Sequence, residues 1–131
     1  MTPDTAPLGE WHSLRLLATS SIGRVVYTVG ALPAVLPVRY RLDDDGSVLV
    51  PAPAGSEFLR AVADALVAFQ ADQVSEADGS GWSVTVLGRA EVTGPGAVAG
   101  SHPWPADRVT VRIRSELVTG RLLADVTPLP P

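Results

Sequence analysis

The chain has 131 residues with a formal net charge of −4, and 46% of them are hydrophobic, which is enough for the core of one domain. The ten basic residues are all arginine and are outnumbered by fourteen acidic ones, so we expect no nucleic-acid partner. Cysteine is absent, which excludes disulfides and thiol catalysis. Because no apolar segment reaches the length of a membrane span and no signal-peptide pattern is present, we expect a cytoplasmic protein without membrane contact.

Both ends of the chain are rich in proline, so residues 1–9 and 128–131 are predicted to be flexible and 10–127 to form a single domain. Apolar side chains at helical spacing predict a short first helix: Trp11, Leu14, Leu17 and Ala18. A first strand is predicted over Arg24–Val29 and a second over Ala34–Leu42, because apolar residues alternate in the first and the turn sequence GALP precedes the second.

The sequence DDDG predicts a hairpin turn with positive φ at Asp45 and Gly46, followed by a return strand over Ser47–Val50. A second helix is predicted over Ser56–Ala63, with an apolar stripe of Phe58, Leu59 and Val62. The next strand is predicted over Ala65–Ala71.

The longest alternation in the chain covers Trp82–Val92 and predicts a half-buried strand. After an irregular connection, Val109–Ile113 alternates again, and a last strand is predicted over Arg121–Val126 behind a turn at Thr119-Gly120. About seven strands joined mostly by short turns predict a mainly β, antiparallel barrel rather than βαβ units.

Three segments resemble the flavin-binding split β-barrel family related to pyridoxamine 5'-phosphate oxidase, and in particular its small actinobacterial branch. They read LLATSSIGRVVYTVGALPAVLPVRYRLDDDGSVLV, VAFQAD…GSGWSVTVLGRAEV and HPWPADRVTVRIRSELVTGRLL. The resemblance implies an antiparallel split β-barrel with two or three short helices. It also implies a homodimer with a flavin in each of two clefts between the subunits, and a small molecule as ligand or substrate.

The same resemblance implies which residues contact the cofactor. The backbone of the strand Pro37, Val38, Arg39 and Tyr40 is expected along the isoalloxazine ring, Trp82 and Ser83 near the ring edge, and Ser56 at the phosphate. The family usually has Asn where this chain has Arg39, whose charge is expected near the pyrimidine end of the ring. Two simpler interpretations stay open, in which Arg39 is solvated or paired with the aspartates of DDDG and Trp82 is a core residue.

The phosphate site departs from the family pattern. Relatives place Arg-Thr at the end of the third strand and Gly-Ser/Thr-Lys at the start of the following helix, whereas this chain has Pro51-Ala52 and Gly55-Ser56-Glu57. Ser56 alone is retained, and Glu57 is expected to repel a phosphate. Ser56 and Glu57 are equally typical of an ordinary helix N-terminus, with a serine cap and an acid in the first turn.

Two functions therefore stay open. The first is an oxidoreductase-like protein that binds FMN or a deazaflavin with a weakened phosphate site and acts on an unknown small molecule. The alternative is a non-catalytic dimeric binding module of the same fold that has lost its flavin. No catalytic residue is assigned, although Tyr40 is a candidate proton donor, and no metal site is predicted because His12 and His102 lack metal-ligand spacing.

Overall fold

The computed structural model describes residues 5–93, 105 and 107–124. Within them the chain forms nine strands and two helices. Their bounds in chain order are β1 Thr5–Leu8, α1 Glu10–Leu17, β2 Ile22–Val29, β3 Leu32–Arg39, β4 Arg41–Leu42, β5 Val48–Pro53, α2 Glu57–Val62, β6 Leu66–Val74, β7 Gly81–Thr93, β8 Arg108–Ile113 and β9 Leu117–Leu123. Neither of these helices is long and apolar enough to cross a membrane.

The strands form one antiparallel sheet in the order β3-β2-β6-β7-β8-β5-β4, with β9 paired to β7 and β1 paired to β9. Strand β7 joins the two halves of this sheet. Its segment Gly81–Leu87 lies between β6 and β9, and its segment Ala90–Thr93 pairs with β8. Because β3 and β4 end the order on opposite sides, the sheet stays open. The fold is therefore the predicted mainly β, antiparallel split barrel.

The core lies between the two halves of the sheet. The alternation predicted for β7 is confirmed from Trp82 to Ala90, where every second residue is buried and the residues between are partly or fully exposed, but it ends before Val92, which is 42% exposed. Phe69 of β6 is fully buried in the same core. The two helices add apolar side chains to this core: Leu17 from α1, and Phe58, Leu59 and Val62 from α2.

The N-terminal segment corrects one expectation. Residues Thr5–Leu8 are not loose but form β1, which pairs with β9 so that Leu8 lies opposite Gly120. Without β1 the outer edge of β9 would leave its backbone groups unpaired, and an added strand satisfies them. The predicted flexible residues 1–4 and 128–131 lie outside the described residues, and so does the predicted irregular connection over 94–107 except for residues 105 and 107.

The last strand was also predicted incorrectly. Thr119-Gly120 is not a turn, because it lies in the middle of β9, which ends at Leu123 rather than continuing to Val126 within the described chain. Gly120 is needed for close packing instead. A Cβ at this position would lie 2.0 Å from Ser13 Oγ, so glycine lets α1 approach β9.

The hairpin between β4 and β5 has a different turn from the one predicted. Gly46 alone has positive φ, at +85°, whereas Asp45 does not. The Gly46 N–H donates to the Asp43 carbonyl oxygen over 2.9 Å, and the Asp43 N–H donates to the Ser47 carbonyl oxygen over 2.9 Å. The loop is therefore longer than a two-residue turn, with one glycine in the left-handed region.

One strand boundary and one buried face also differ from the prediction. The predicted strand Ala34–Leu42 is divided into β3 and β4 at Tyr40, whose side chain enters the core. The apolar stripe predicted for α1 is only half correct, since Leu17 is buried but Trp11 is 72% exposed and Ala18 is also exposed. The Arg15 guanidinium lies 4.8 Å from the centre of the Trp11 ring and covers part of it.

Candidate functional site: the cleft between β3 and β5

The opening of the barrel creates a cleft. Arg41 of β4 pairs with Leu49 of β5, but the preceding strand β3 leaves β5 and pairs with β2. A cavity of about 400 Å³ fills the space where the two strands diverge. Its walls are Leu36–Arg39 of β3 and Pro51–Pro53 of β5, and it is completed by Ser56, Phe58 and Arg108.

Prolines line both sides of the cleft. Pro37 lies in β3, and Pro51 and Pro53 lie in the part of β5 that has β8 on its other side. Proline has no N–H to donate to a neighbouring strand and is therefore found at free strand edges. Since both strands carry prolines at these positions, β3 and β5 cannot form a regular ladder, and the cleft stays open.

The cleft is apolar on its walls and positively charged. Leu36, Val38 and Phe58 contribute hydrocarbon and aromatic surface. Two guanidinium groups, from Arg39 and Arg108, are the charged groups among the described lining residues. The Arg108 Nη1 atom lies 3.0 Å from Asp107 Oδ2, and the Arg108 side chain is 34% exposed. A protein with a net charge of −4 thus concentrates positive charge here.

The loss of the family's usual phosphate ligands does not leave the cleft without positive charge. The substitutions at Pro51, Ala52 and Glu57 remove the family's usual side chains, but Arg39 and Arg108 enter the same cavity from β3 and β8. Glu57 is exposed and does not belong to the described lining of the cavity.

Ser56 has the capping role that the sequence also allowed. Its Oγ accepts a hydrogen bond from the Leu59 N–H over 3.3 Å, and α2 begins at the next residue, Glu57. Ser56 is half-buried and lines the cavity as well, so both interpretations of this residue apply.

Tyr40 lies outside the cleft lining, unlike the three residues before it. Its hydroxyl donates to the Leu17 carbonyl oxygen over 2.5 Å, and its ring packs edge-on against Phe69 with centroids 4.7 Å apart. Burial raises the pKa of Tyr40, and a hydrogen bond with Ser20 lowers it to a smaller extent. Tyr40 therefore fastens the β3–β4 junction to the core, and its hydroxyl is not free to donate a proton to a ligand in this cleft.

Trp82 and Ser83 also lie outside the described lining of the cleft. Trp82 is 8% exposed and belongs to the hydrophobic core. Ser83 lies on the opposite face of β7, where its Oγ accepts from Gln70 Nε2 over 3.2 Å. Gln70 in turn accepts from Arg24 Nη1 over 2.9 Å and donates to Asp72 Oδ2 over 2.9 Å. The structure thus brings together Pro37, Val38, Arg39 and Ser56, and leaves out Tyr40, Trp82 and Ser83.

Sequence reasoning missed Arg108 and the second role of Phe58. Phe58 was assigned to the buried stripe of α2, and it also faces the cleft. Nothing in the local sequence separates Arg108 from Arg112 and Arg114 of the same region. Those two form ion pairs elsewhere, Arg112 with Asp43 over 2.6 Å and Arg114 with Glu91 over 3.1 Å. Only the pairing of β8 with β5, which places Arg108 opposite Pro53, reveals the difference.

The open antiparallel barrel with a cleft between its diverging strands has the fold of the flavin-binding split barrels. The pyridoxamine 5'-phosphate oxidase family model matches residues 11–121. The chain is also 41% identical over 135 aligned positions to the uncharacterized protein Rv0080 of Mycobacterium tuberculosis, covering 93% of this chain and 88% of that protein. The protein described here therefore belongs to the pyridoxamine 5'-phosphate oxidase family.

Two solved structures share the fold. The FAD-binding protein of Mycobacterium smegmatis superposes with a TM-score of 0.74 at 25% identity, covering 91% of this chain and 98% of that one. An FAD-binding protein of Mesorhizobium loti superposes with a TM-score of 0.74 at 23% identity, covering 92% of this chain and 98% of that one. At the lower identity the likeness extends to the fold alone.

Proposed function

We propose that the protein is an oxidoreductase-like flavoprotein that binds FMN or a deazaflavin in the cleft between β3 and β5 and acts on a small molecule. The observation that carries this proposal is the cavity of about 400 Å³ between the diverging strands of a chain from this family. That volume lies in the usual range of cofactor sites. Since the similar protein of Mycobacterium smegmatis is an FAD-binding protein, FAD is a third form to test.

The lining residues fit an amphipathic, anionic ligand. Leu36, Val38 and Phe58 offer apolar surface to a planar ring, and Arg39 and Arg108 offer charge-assisted hydrogen bonds to electron-rich groups. When bound, a flavin supplies hydride or electron transfer, so the protein's part is to bind it, orient it and set its charge environment. A guanidinium from Arg39 beside the ring would stabilise the negative charge that reduction adds.

We further propose a homodimer, based on the outer face of the sheet. Strand pairing aligns one apolar residue from each of five strands in a single row across this face: Val35, Val26, Ala68, Leu87 and Leu117. Val35 is 59% exposed, Leu87 39% and Leu117 56%. An apolar row of this length on a sheet face is typical of a protein–protein contact. An isologous contact would cover the row on both copies and bring Ser83, on the same face, toward the partner's cleft.

One observation favours the alternative function. Positions 51, 52 and 57 lack the side chains with which relatives are expected to hold a phosphate, which fits a dimeric binding module that has lost its flavin. The two functions differ in a directly measurable property, because only the first requires flavin affinity.

Titration with FMN, FAD, a deazaflavin and riboflavin tests the proposal, with flavin absorbance and tryptophan fluorescence as readouts. We expect a dissociation constant in the micromolar range for at least one flavin. Val38→Asp, which adds a carboxylate to the cleft wall, should weaken that binding at least tenfold. The matched control Val92→Asp changes an exposed valine of β7 outside the cleft lining and should leave it unchanged. If no flavin binds at millimolar concentration, the alternative function is correct.

A further inference from the structure

Arg108 occupies a distinct end of the cleft. It is the first residue of β8 and lies opposite Pro53, the last residue of β5. Ser56 lies three residues further along the chain and lines the same cavity. Arg108 and Ser56 are thus polar residues at the end of the cleft where β5 stops and the chain turns toward α2.

Arg39 lies at a different position along the cleft. The cleft begins at the Arg41–Leu49 pair, from which β3 and β5 diverge. Arg39 is two residues from that pair along β3, and Pro53 is four residues from it along β5. At about 3.3 Å per residue the two positions are offset by about 7 Å along the cleft. The cavity therefore offers two separate cations, suited to a ligand with two electron-rich regions.

The Arg108 guanidinium is available to a ligand. Its recorded ion pair joins Nη1 to Asp107 Oδ2 over 3.0 Å, and the Asp107 side chain is 74% exposed. An ion pair with such an exposed carboxylate contributes little and is screened by water, so an incoming dianion can replace it. A guanidinium also presents five N–H groups in a planar fork that matches a phosphate group.

We propose that Arg108 binds the phosphate of a phosphorylated flavin and so takes the place of the side chains that the family resemblance implies at positions 51, 52 and 57 and that this chain lacks. This inference rests on the proposed function and assigns the phosphate end of the ligand to Arg108 and Ser56, and the ring end to Arg39. The phosphate then replaces Asp107 as the partner of the guanidinium. The protein is therefore selective for phosphorylated flavins over riboflavin through a residue of β8.

The experiment compares the dissociation constants of FMN and riboflavin for the parent protein, Arg108→Gln and Asp107→Asn. Arg108→Gln should weaken FMN binding ten- to hundredfold, about 1.4 to 2.8 kcal/mol at 1.4 kcal/mol per tenfold, and should change riboflavin binding less than twofold. The dependence of FMN binding on salt should decrease in the same variant. Asp107→Asn removes the competing carboxylate and should tighten FMN several-fold.

Two further variants control for structure. Arg114→Gln removes a guanidinium that follows β8 outside the described cleft lining, where it pairs with Glu91, and should leave both constants unchanged. Arg108→Lys keeps the positive charge but lacks the planar set of N–H groups, so this variant should bind FMN with intermediate affinity. It tests the inference even if Arg108→Gln does not fold.

The possible failures are distinguishable. Equal FMN affinity in the parent and in the Arg108 variants, with riboflavin still bound, would overturn this inference and leave the proposed function standing. Equal losses for FMN and riboflavin would show that Arg108 supports the fold of the cleft rather than the phosphate. If neither FMN nor riboflavin binds to the parent protein, this inference is wrong, and if FAD and the deazaflavin also fail to bind, the proposed function is wrong as well.

Discussion

Replacing Tyr40 by phenylalanine removes one buried hydroxyl from the junction of β3 and β4 and keeps the ring against Phe69. The lost hydrogen bond is the one from Tyr40 Oη to the Leu17 carbonyl oxygen, 2.5 Å long. That carbonyl also accepts from the Ser20 N–H over 3.2 Å, so it keeps one partner in the variant. The expected loss in the free energy of unfolding at pH 7 is therefore about 1 kcal/mol, which lowers Tm by about 3–5 °C.

The same substitution should change how stability depends on pH. Burial raises the pKa of Tyr40 in the folded protein, so the folded state disfavours the phenolate. In the unfolded chain a tyrosine ionises near pH 10, about its ordinary pKa. The contribution of Tyr40 is thus complete below about pH 10 and is lost as the pH rises through the higher folded value. At pH 11 the parent protein is therefore less stable for this reason, and this loss is absent from Tyr40→Phe.

Urea unfolding followed by circular dichroism at pH 7, 10 and 11 measures both effects. The difference between parent and variant should be about 1 kcal/mol at pH 7 and should become smaller at pH 11. Tyr27→Phe is the matched control, because Tyr27 is only half-buried and its ring packs on Phe58. Curves for parent and Tyr40→Phe that coincide at pH 7 and stay parallel to pH 11 would refute the assigned hydrogen bond.

Three more substitutions test the fold and the proposed dimer. Gly88→Ala should lower the free energy of unfolding by about 3 kcal/mol or more, or abolish soluble expression, because its Cβ would lie 1.6 Å from the Arg114 carbonyl oxygen. Thermal melting measures the loss of stability. Hydrogen bonding and charge from Arg112 lower the pKa of Asp43. The contribution of this carboxylate to the free energy of unfolding is therefore complete above the ordinary carboxyl pKa and is lost as the pH falls through the folded value. Asp43→Asn should therefore be less stable than the parent at pH 7. Between pH 5 and pH 2 the free energy of unfolding, measured with urea, should fall less in the variant than in the parent. Leu87→Glu should convert a particle of twice 13.6 kDa into one of 13.6 kDa in light scattering, and a parent already at 13.6 kDa would contradict the dimer.

The sequence predicted the strands wherever one face of the sheet is buried and the other is exposed. Period-two alternation then records burial directly, as in β7, where the predicted Trp82–Val92 differs from the observed Gly81–Thr93 by one residue at each end. The helix N-terminus at Ser56 was predictable for a similar reason, because its capping chemistry is local.

The incorrect predictions concern residues whose role depends on a distant partner. Thr5–Leu8 has no alternation to mark it as a strand and becomes one through pairing with β9. Gly120 was interpreted as a turn because glycine is common in turns, whereas its actual requirement is the approach of Ser13 from α1. Arg108 shares its local pattern with Arg112, and only the register with β5 places it at the cleft.

The opening between β3 and β5 links the sequence of this barrel to its proposed function. A sheet that could close would bury the edges of β3 and β5 by hydrogen bonding them together, and the cavity would disappear. Pro37, Pro51 and Pro53 prevent this closure, because they remove backbone donors on both sides of the opening. One of them, Pro51, also stands where the family resemblance implies a polar residue of the phosphate site. A binding site at this opening must therefore obtain its charge from neighbouring positions, and Arg39 and Arg108 are the described lining residues that carry it.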